Sequence, residues 1–337
     1  MGDLEQNTIV YMTKLIHSED ATFVKFVGEA NRQFRYSLWE MVHVLASEGV
    51  SLVFAEIDDL SAEAHIMAIY RLQAITEHSL EFKREACDFV PKVIFNRLKD
   101  ELYTHAAYNL LLERNVRVIN NKEVASLGDK RVSQQLLGDF MPVSAYISSI
   151  DAHERHDAIT KFVQEHGMTV AKPQRLNGAD GLVFIQNESD REAIDGITND
   201  EQGYVLQEFI ETNRGIPAFV KGRHDLRIFV CGGKMIAGAL RQPKEGSLVS
   251  NTVKEGTIQF YSLEQLPMGV LEYCQKIIDQ LPLSPHTFVS LDFFYGNNRW
   301  YLIEVNDQPG TPAMYQNKTV ATTIQNSRMI MFKDSLK

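Results

Sequence analysis

Cysteine is scarce, with three in 337 residues, at Cys87, Cys231 and Cys274. An odd number cannot pair fully within one chain, and no two stand at the close spacing of a thiolate metal site. They read as free thiols, and a reducing, cytoplasmic compartment is expected. Long apolar runs are missing too: no stretch reaches the roughly 18 residues of a membrane-spanning helix. The opening M-G-D-L-E-Q-N-T-I-V-Y-M-T-K places acidic residues where a signal peptide carries basic ones. Basic excess is also lacking. The formal net charge is −10, so a phosphate surface repels the average face, and neither nucleic acid nor membrane is expected as a partner. Internal repeats and low-complexity tracts are absent.

What is present is a chain long enough for two or three packed units. Its 44% apolar and 23% charged residues are ordinary for a globular protein. Short β-branched runs at 8–12, 50–57, 91–95 and 116–119 predict strands. Apolar spacing of three and four residues predicts helices over 34–47 and 61–78. Such alternation suggests a parallel sheet covered by helices, and residues 1–118 read as a first α/β domain. Residues 121–137 read as a linker and a helix. Beyond residue 167, strands come in closely spaced pairs, 169–171 with 182–185, 204–210 with 226–230, 235–241, and 287–295 with 300–305. Pairs at that spacing predict antiparallel sheet. A helix over 263–280 separates two of the groups, and the last dozen residues carry no clear signal.

The most informative segment is V-S-L-D-F-F-Y-G-N-N-R-W-Y-L-I-E-V-N-D-Q-P-G. Asp292 stands in an apolar strand. Glu304 and Asn306 are two apart on the next strand and share a face. A tight turn at 296–298 places Asp292 opposite Glu304. Facing carboxylates repel and are costly in a half-buried strand without a cation. Oxygen donors without histidine or cysteine suit magnesium, or manganese. A solvated strand face is the alternative.

Lys172 ends the strand M-T-V-A-K, and P-Q-R-L-N-G-A-D-G follows. Gly178 and Gly181 belong to a small-residue loop that lets backbone N–H groups approach phosphate, with Lys172 as a point charge at its base. An exposed lysine on a hairpin is the alternative. Lys130, in S-L-G-D-K-R-V-S, reads on its own as a surface helix residue. Gln207, Glu208, Phe209 and Ile210 offer a backbone edge with apolar side chains, suited to an adenine ring, or an ordinary strand. Asp225 and Arg227 share a strand face, Arg241 lies on the following strand and Asn251 beyond it. They are either ion pairs or a set that holds a carboxylate or a transferred phosphoryl group.

In this order the pieces resemble the ATP-grasp superfamily, over about residues 96–309, with the pattern of glutathione-synthetase-like and ribosomal-protein glutamate ligases. I-F-N-R resembles the strand end that closes the family's first domain. The resemblance implies that Lys130 and Lys172 bind nucleotide phosphate, that Gly178 and Gly181 belong to the phosphate loop, and that Gln207–Ile210 is the adenine hinge. It implies Asp225 for the ribose, Asp292, Glu304 and Asn306 as magnesium ligands, and Arg227, Arg241 and Asn251 near a reacting acyl phosphate. The loop R-L-N-G-A-D-G carries fewer glycines than the family's usual loop, and the first domain's substrate residues match no pattern.

The implied fold is α+β, an ATP-grasp pair of lobes (119–205, and 206–325 with the metal site) preceded by the pre-grasp domain and followed by a tail, 326–337. The implied activity is an ATP-dependent, ADP-forming carboxylate–amine ligase using ATP and magnesium. Its substrates would be small-molecule or peptide carboxylates and amines, and a homo-oligomer is allowed. A kinase acting on a hydroxyl, or a nucleotide-binding protein without catalysis, are the other classes.

Overall fold

The computed structural model describes residues 7–17, 23–25, 32–75, 80–98, 100–148, 151–174, 181–198, 203–248, 256–310 and 317–337. Gly178 and Asn251 lie outside the described residues, as does most of the phosphate loop.

The first sheet has eight strands: β1 (Thr8–Met12), β2 (Ile16–His17), β3 (Phe23–Lys25), β4 (Ser51–Ala55), β5 (Ile66–Ile75), β6 (Leu80–Phe89), β7 (Val93–Asn96) and β8 (Arg117–Ile119). Their order is β2-β3-β6-β5-β4-β1-β7-β8. β1 pairs in parallel with β4 and β7, and β7 in parallel with β8. Every residue of T-I-V-Y-M is buried, as a parallel strand covered on both faces requires. Helices α1 (Arg32–Ser47), α2 (Asp100–Thr104) and α3 (Tyr108–Glu113) belong to this unit.

One helix expected from the sequence is a strand. Within the expected helix 61–78, Ile66–Ile75 form β5, which pairs antiparallel with β6, and residues 76–78 lie outside the described residues. Ile66, Ala68 and Tyr70 satisfy alternation as well as helical spacing, and all three are buried. The alternating run of β6 supplies the pairing partner, so tertiary pairing overrides the local pattern.

Helices α4 (Lys122–Ser126) and α5 (Lys130–Leu137) follow. The next lobe holds β9 (Ser144–Ile147), α6 (Ala152–His166), β10 (Thr169–Pro173), β11 (Val183–Ile185), α7 (Arg191–Thr198) and β12 (Tyr204–Glu208). Its four-stranded sheet has the order β11-β10-β12-β9, with antiparallel pairing throughout. α6 had no counterpart in the sequence reading, although Asp151 caps its N-terminus and Gly167, at φ +73°, ends it.

The last lobe holds β13 (Asp225–Cys231), β14 (Lys234–Gln242), β15 (Thr257–Tyr261), α8 (Met268–Ile278), β16 (Phe288–Gly296), β17 (Arg299–Asn306) and α9 (Lys318–Leu336). The five strands run β15-β14-β13-β16-β17, paired antiparallel. Residues 326–337, set apart as a tail in the sequence, continue α9 to Leu336, with Met331 and Phe332 buried. Phe332 meets Phe95 of the first sheet, with ring centroids 5.3 Å apart. One hydrophobic cluster therefore runs from β1, β4 and β7 through α9 to Phe229, Phe260 and Phe288. The lobe from β9 to β12 has a separate core around Ile159, Phe162, Ala171 and Leu206.

Candidate active site

Strand register brings the charged residues together. Asp292 on β16 lies opposite Arg227 on β13 and opposite Glu304 on β17, and Asp225 lies opposite Arg241 on β14. Arg227 grips Asp292 with two parallel bonds, Nε to Oδ1 at 2.7 Å and Nη2 to Oδ2 at 2.7 Å. Arg241 Nη2 donates to Asp292 Oδ2 at 2.5 Å and also to Asp225. Asn306 Nδ2 reaches Asp292 Oδ2 at 3.2 Å. Burial would raise Asp292, but the two guanidinium groups hold it down at about 2. Burial pushes Asp225 up to about 7, against the pull of Arg241. Burial opposes the charge on Arg241, yet Asp225 and Asp292 keep it above its ordinary value.

Two lysines reach the same place, one from β10 and one from α5. Lys172, at the end of β10, is buried, and its Nζ donates to Gln207 Oε1 at 2.6 Å and to the Ile303 carbonyl at 3.5 Å. Lys130, the first residue of α5, lies 3.9 Å from Glu304 Oε1. Together with Val205 these residues line a narrow cavity between the lobes. The exposed-lysine alternative for Lys172 thus does not hold, and neither does the surface reading of Lys130, whose side chain is 13% exposed.

Four cations (Lys130, Lys172, Arg227, Arg241) meet three carboxylates (Asp225, Asp292, Glu304). With all ionised, one positive charge is in excess, and such a cluster favours an anion. Asp225 Oδ1 and Arg241 Nε are buried without a hydrogen-bond partner among the described residues, a costly state for polar groups unless a ligand satisfies them.

The donor set fits the metal expected from the sequence. Asp292, Glu304 and Asn306 are hard oxygen donors on two registered strands, and Asn306 Oδ1 is left over when its Nδ2 bonds Asp292. Two arginines already serve Asp292, so a divalent ion there needs phosphate oxygens beside it to offset their charge.

The hinge residues divide. The Gln207 side chain faces Lys172 and donates to Ser144 Oγ at 3.0 Å, so it braces the lysine. The N–H groups of Glu208 and Phe209 bond the carbonyls of Val143 and Met168, each at 2.9 Å. Phe184 and Phe209 stand edge to face, 6.2 Å between centroids, an apolar wall suited to a flat ring. Ile210 is buried against Gly296, where a Cβ would lie 2.5 Å from Ile210 Cγ2 and 2.9 Å from the Glu211 carbonyl. Only glycine admits that approach of the β16–β17 turn to the hinge.

Sequence reasoning passed over the groups that aim the lysines. Gln174 Nε2 bonds Asp129 Oδ2 at 2.6 Å, and Tyr146 Oη bonds Gln174 Oε1 at 3.2 Å. Asp129 also caps α5 through the Arg131 N–H. The Lys130 N–H donates to the Gln174 carbonyl at 3.1 Å. A cap signal, aspartate directly before a helix, marked Asp129; nothing local marked Gln174. Gly128 lets this corner meet the D-Q-P-G turn, since a Cβ there would stand 2.8 Å from Asp307 Oδ1.

The chain matches the family model of the prokaryotic glutathione synthetase ATP-grasp domain over residues 138–314. Among curated relatives, a probable alpha-L-glutamate ligase of Vibrio vulnificus is 29% identical over 173 residues, 50% of this chain and 53% of that protein. One from Methanococcoides burtonii is 26% identical over 188 residues, 54% of this chain and 56% of that protein. The chain thus spans about half the length of the curated relatives it matches. Among solved structures, the D-alanyl-alanine synthetase A of Vibrio cholerae superposes with a TM-score of 0.63 at 13% identity, covering 98% of each chain. The ATP-grasp ligase PsnB complexed with minimal precursor gives 0.59 at 12% identity, covering 97% of this chain and 100% of that one. At such identity the superpositions speak for the fold alone, and they bear out the ATP-grasp architecture expected from the sequence. The chain belongs to the prokaryotic glutathione synthetase ATP-grasp family, within the ATP-grasp superfamily of ligases.

Proposed function

We propose that this protein is an ATP-dependent, ADP-forming carboxylate–amine ligase that works through an acyl phosphate. The observation that carries this reading is the interlobe cluster, in which Lys172 on β10 and Lys130 on α5 meet Asp292, Glu304, Arg227 and Arg241 on the β13–β17 sheet. Family membership and the glutamate-ligase relatives support it.

ATP would lie between the lobes, its adenine against the Phe184–Phe209 wall and its phosphates at Lys130 and Lys172. Asp292, Glu304 and Asn306 would hold magnesium, which when bound offsets phosphate charge and orients the triphosphate. Arg241 and Arg227 sit where charge develops as the γ-phosphoryl group moves to a substrate carboxylate oxygen. Preorganised donors in a closed site stabilise such charge by several kcal/mol at about 2.7–4 kcal/mol each. The amine then attacks the acyl carbon and phosphate leaves. No protein nucleophile is needed, since positioning and charge neutralisation suffice for phosphoryl transfer. Asn251 and Gly178 keep their proposed parts near the acyl phosphate and in the phosphate loop, on resemblance alone. Asp225 is proposed for the ribose, and its link to Arg241 would couple nucleotide seating to that arginine.

Hydroxylamine tests the reading. Supplied with ATP, magnesium and an acid substrate, it should intercept the acyl phosphate as a hydroxamate, with ADP in equal amount. Arg241→Ala and Glu304→Ala should each suppress both products by at least about a hundredfold while the circular dichroism spectrum stays unchanged. A stable phosphorylated product without hydroxamate would favour the kinase class, and AMP with pyrophosphate would sink both.

A further inference from the structure

We propose that Gln174 is a positioning residue that latches the β9–β12 lobe to the start of α5, so that Lys130 and Lys172 are held as a pair for phosphate, and that its release opens the lobe. The proposal rests on the nucleotide reading of the site and adds what keeps its two lysines in register.

The latch crosses between two separately packed bodies. Val124, Leu127 and Leu137 lie in the core of the β13–β17 lobe, and they flank Asp129 on both sides in sequence. Asp129 is therefore fixed to that lobe. Gln174 belongs to the other body. Its N–H donates to the Gly203 carbonyl at 3.0 Å, which carries the β10–β12 pairing one residue past Pro173 and Tyr204. The core of that body, around Ile159, Phe162 and Leu206, is its own. Where no apolar core is shared, the polar contacts at the joint set how readily it opens.

Gln174 meets the joint with three groups. Its carbonyl accepts the Lys130 N–H at 3.1 Å. Its Nε2 donates to Asp129 Oδ2 at 2.6 Å, and its Oε1 accepts from Tyr146 Oη at 3.2 Å. The bond to the carboxylate is of the stronger class. Arg131 steadies both partners of the amide: its N–H donates to Asp129 Oδ1 at 2.9 Å, and its guanidinium lies 4.7 Å from the centroid of the Tyr146 ring. Gly203 leaves room for the tyrosine, since a Cβ there would stand 2.5 Å from Tyr146 Oη.

Place and polarity then give the role. Lys172 is two residues before Gln174, at most about 7 Å of chain. Lys130 directly follows Asp129, and the loop R-L-N-G-A-D-G directly follows Gln174. One amide thus stands between both lysines. Asp129 needs a donor and Tyr146 an acceptor, and a primary amide supplies one of each. A carboxylate at position 174 would set two negative charges at hydrogen-bond distance and drive the joint apart.

The test measures hydrogen exchange of the full chain at pH 7 without nucleotide, then calorimetric titration with ATP and magnesium. Gln174→Glu should speed exchange in β9–β12 by about tenfold or more, while β1, β4 and β16 stay unchanged. ATP affinity should fall by about tenfold or more. Gln174→Glu combined with Asp129→Asn exchanges donor and acceptor, since asparagine can donate to the glutamate and still cap α5. This reversed pair should recover most of both losses, which a variant that merely damages the fold would not. Gln174→Met removes both side-chain bonds without adding charge and serves, with the same direction expected, should the glutamate variant fail to fold. Unchanged exchange, exchange that rises equally in all regions, or a reversed pair as open as Gln174→Glu alone would each overturn the latch. Faster exchange in β9–β12 with unchanged ATP affinity would overturn the positioning of the lysines. A wild-type chain that binds no ATP yet shows the exchange pattern sinks the nucleotide reading and leaves the latch, and the converse result sinks the latch alone.

Discussion

Burial pushes the Lys172 ammonium down to about 8; Glu304, Asp225 and Asp292 pull it up, while Lys130 adds to the depression. The sign of the pH effect follows. Between about 8 and the ordinary value of 10.5 the unfolded chain holds a proton that the folded chain has shed. Folding stability from this group therefore rises with pH across that window, and at neutral pH the buried charge is a cost. Nucleotide binding at the proposed site would run the other way, because phosphate needs the ammonium. ATP affinity should fall as pH climbs past about 8. Lys172→Ala should weaken ATP binding at pH 7 by about tenfold or more, a charge-assisted contact being worth about 1.5–3 kcal/mol. It should also flatten the pH profile above neutrality. Calorimetric titration at a series of pH values checks both, and an unchanged profile would remove Lys172 from the phosphate site.

At the scale of the element, β8 is three residues long yet fastens the first sheet to the catalytic strands. Asn120 follows it at φ +55°, a left-handed conformation that asparagine tolerates better than most residues. Its side chain donates to the Phe288 carbonyl at 2.8 Å and to the Asp307 carbonyl, and accepts from the Phe288 N–H at 2.7 Å. Asn120→Ala would take a hydrogen bond from each of three buried backbone groups and keep the strained φ. A loss of about 3 kcal/mol or more is expected, at about 1–3 kcal/mol per orphaned group. Chemical denaturation should show a lower midpoint with an unchanged slope. Because Asp307 directly follows Asn306, turnover in the folded variant should fall as well.

For the whole molecule, the distribution of the cores predicts which part moves. The first domain and the β13–β17 lobe share one hydrophobic cluster through α9, whereas the β9–β12 lobe packs around its own. A polar contact, Lys172 to the Ile303 carbonyl, joins that lobe to β17, whereas α5, which carries Lys130, packs Leu137 into the core of the β13–β17 lobe. A unit tied to its neighbours by such contacts opens at lower free energy than one sharing a core. Hydrogen exchange in β9–β12 should slow when ATP and magnesium are added, while exchange in β1, β4 and β16 stays constant. Equal protection gained in all three regions would argue against a separately moving lobe. No helix of the described residues is long and apolar enough to cross a membrane.

The sequence by itself determined the elements that carry the chemistry. Alternation and a tight turn set the β16–β17 hairpin, so Asp292 had to meet Glu304, and L-I-E-V-N put Glu304 and Asn306 on one face. The apolar run of β1 and the strands beyond residue 167 were legible for the same reason: side-chain period is a local property. The expected pairing of 204–210 with 226–230 does not form, because β12 pairs with β10 and β9 while β13 pairs with β14 and β16 in another sheet. Tertiary structure alone decided the rest. The 61–78 segment satisfies two periods, and only pairing with β6 made it a strand. The final residues show no local signal because the partners that bury Phe332 lie in the first sheet, far away in sequence. Gln207 turns its side chain to Lys172, and Gln174 latches Asp129, across 35 and 45 residues.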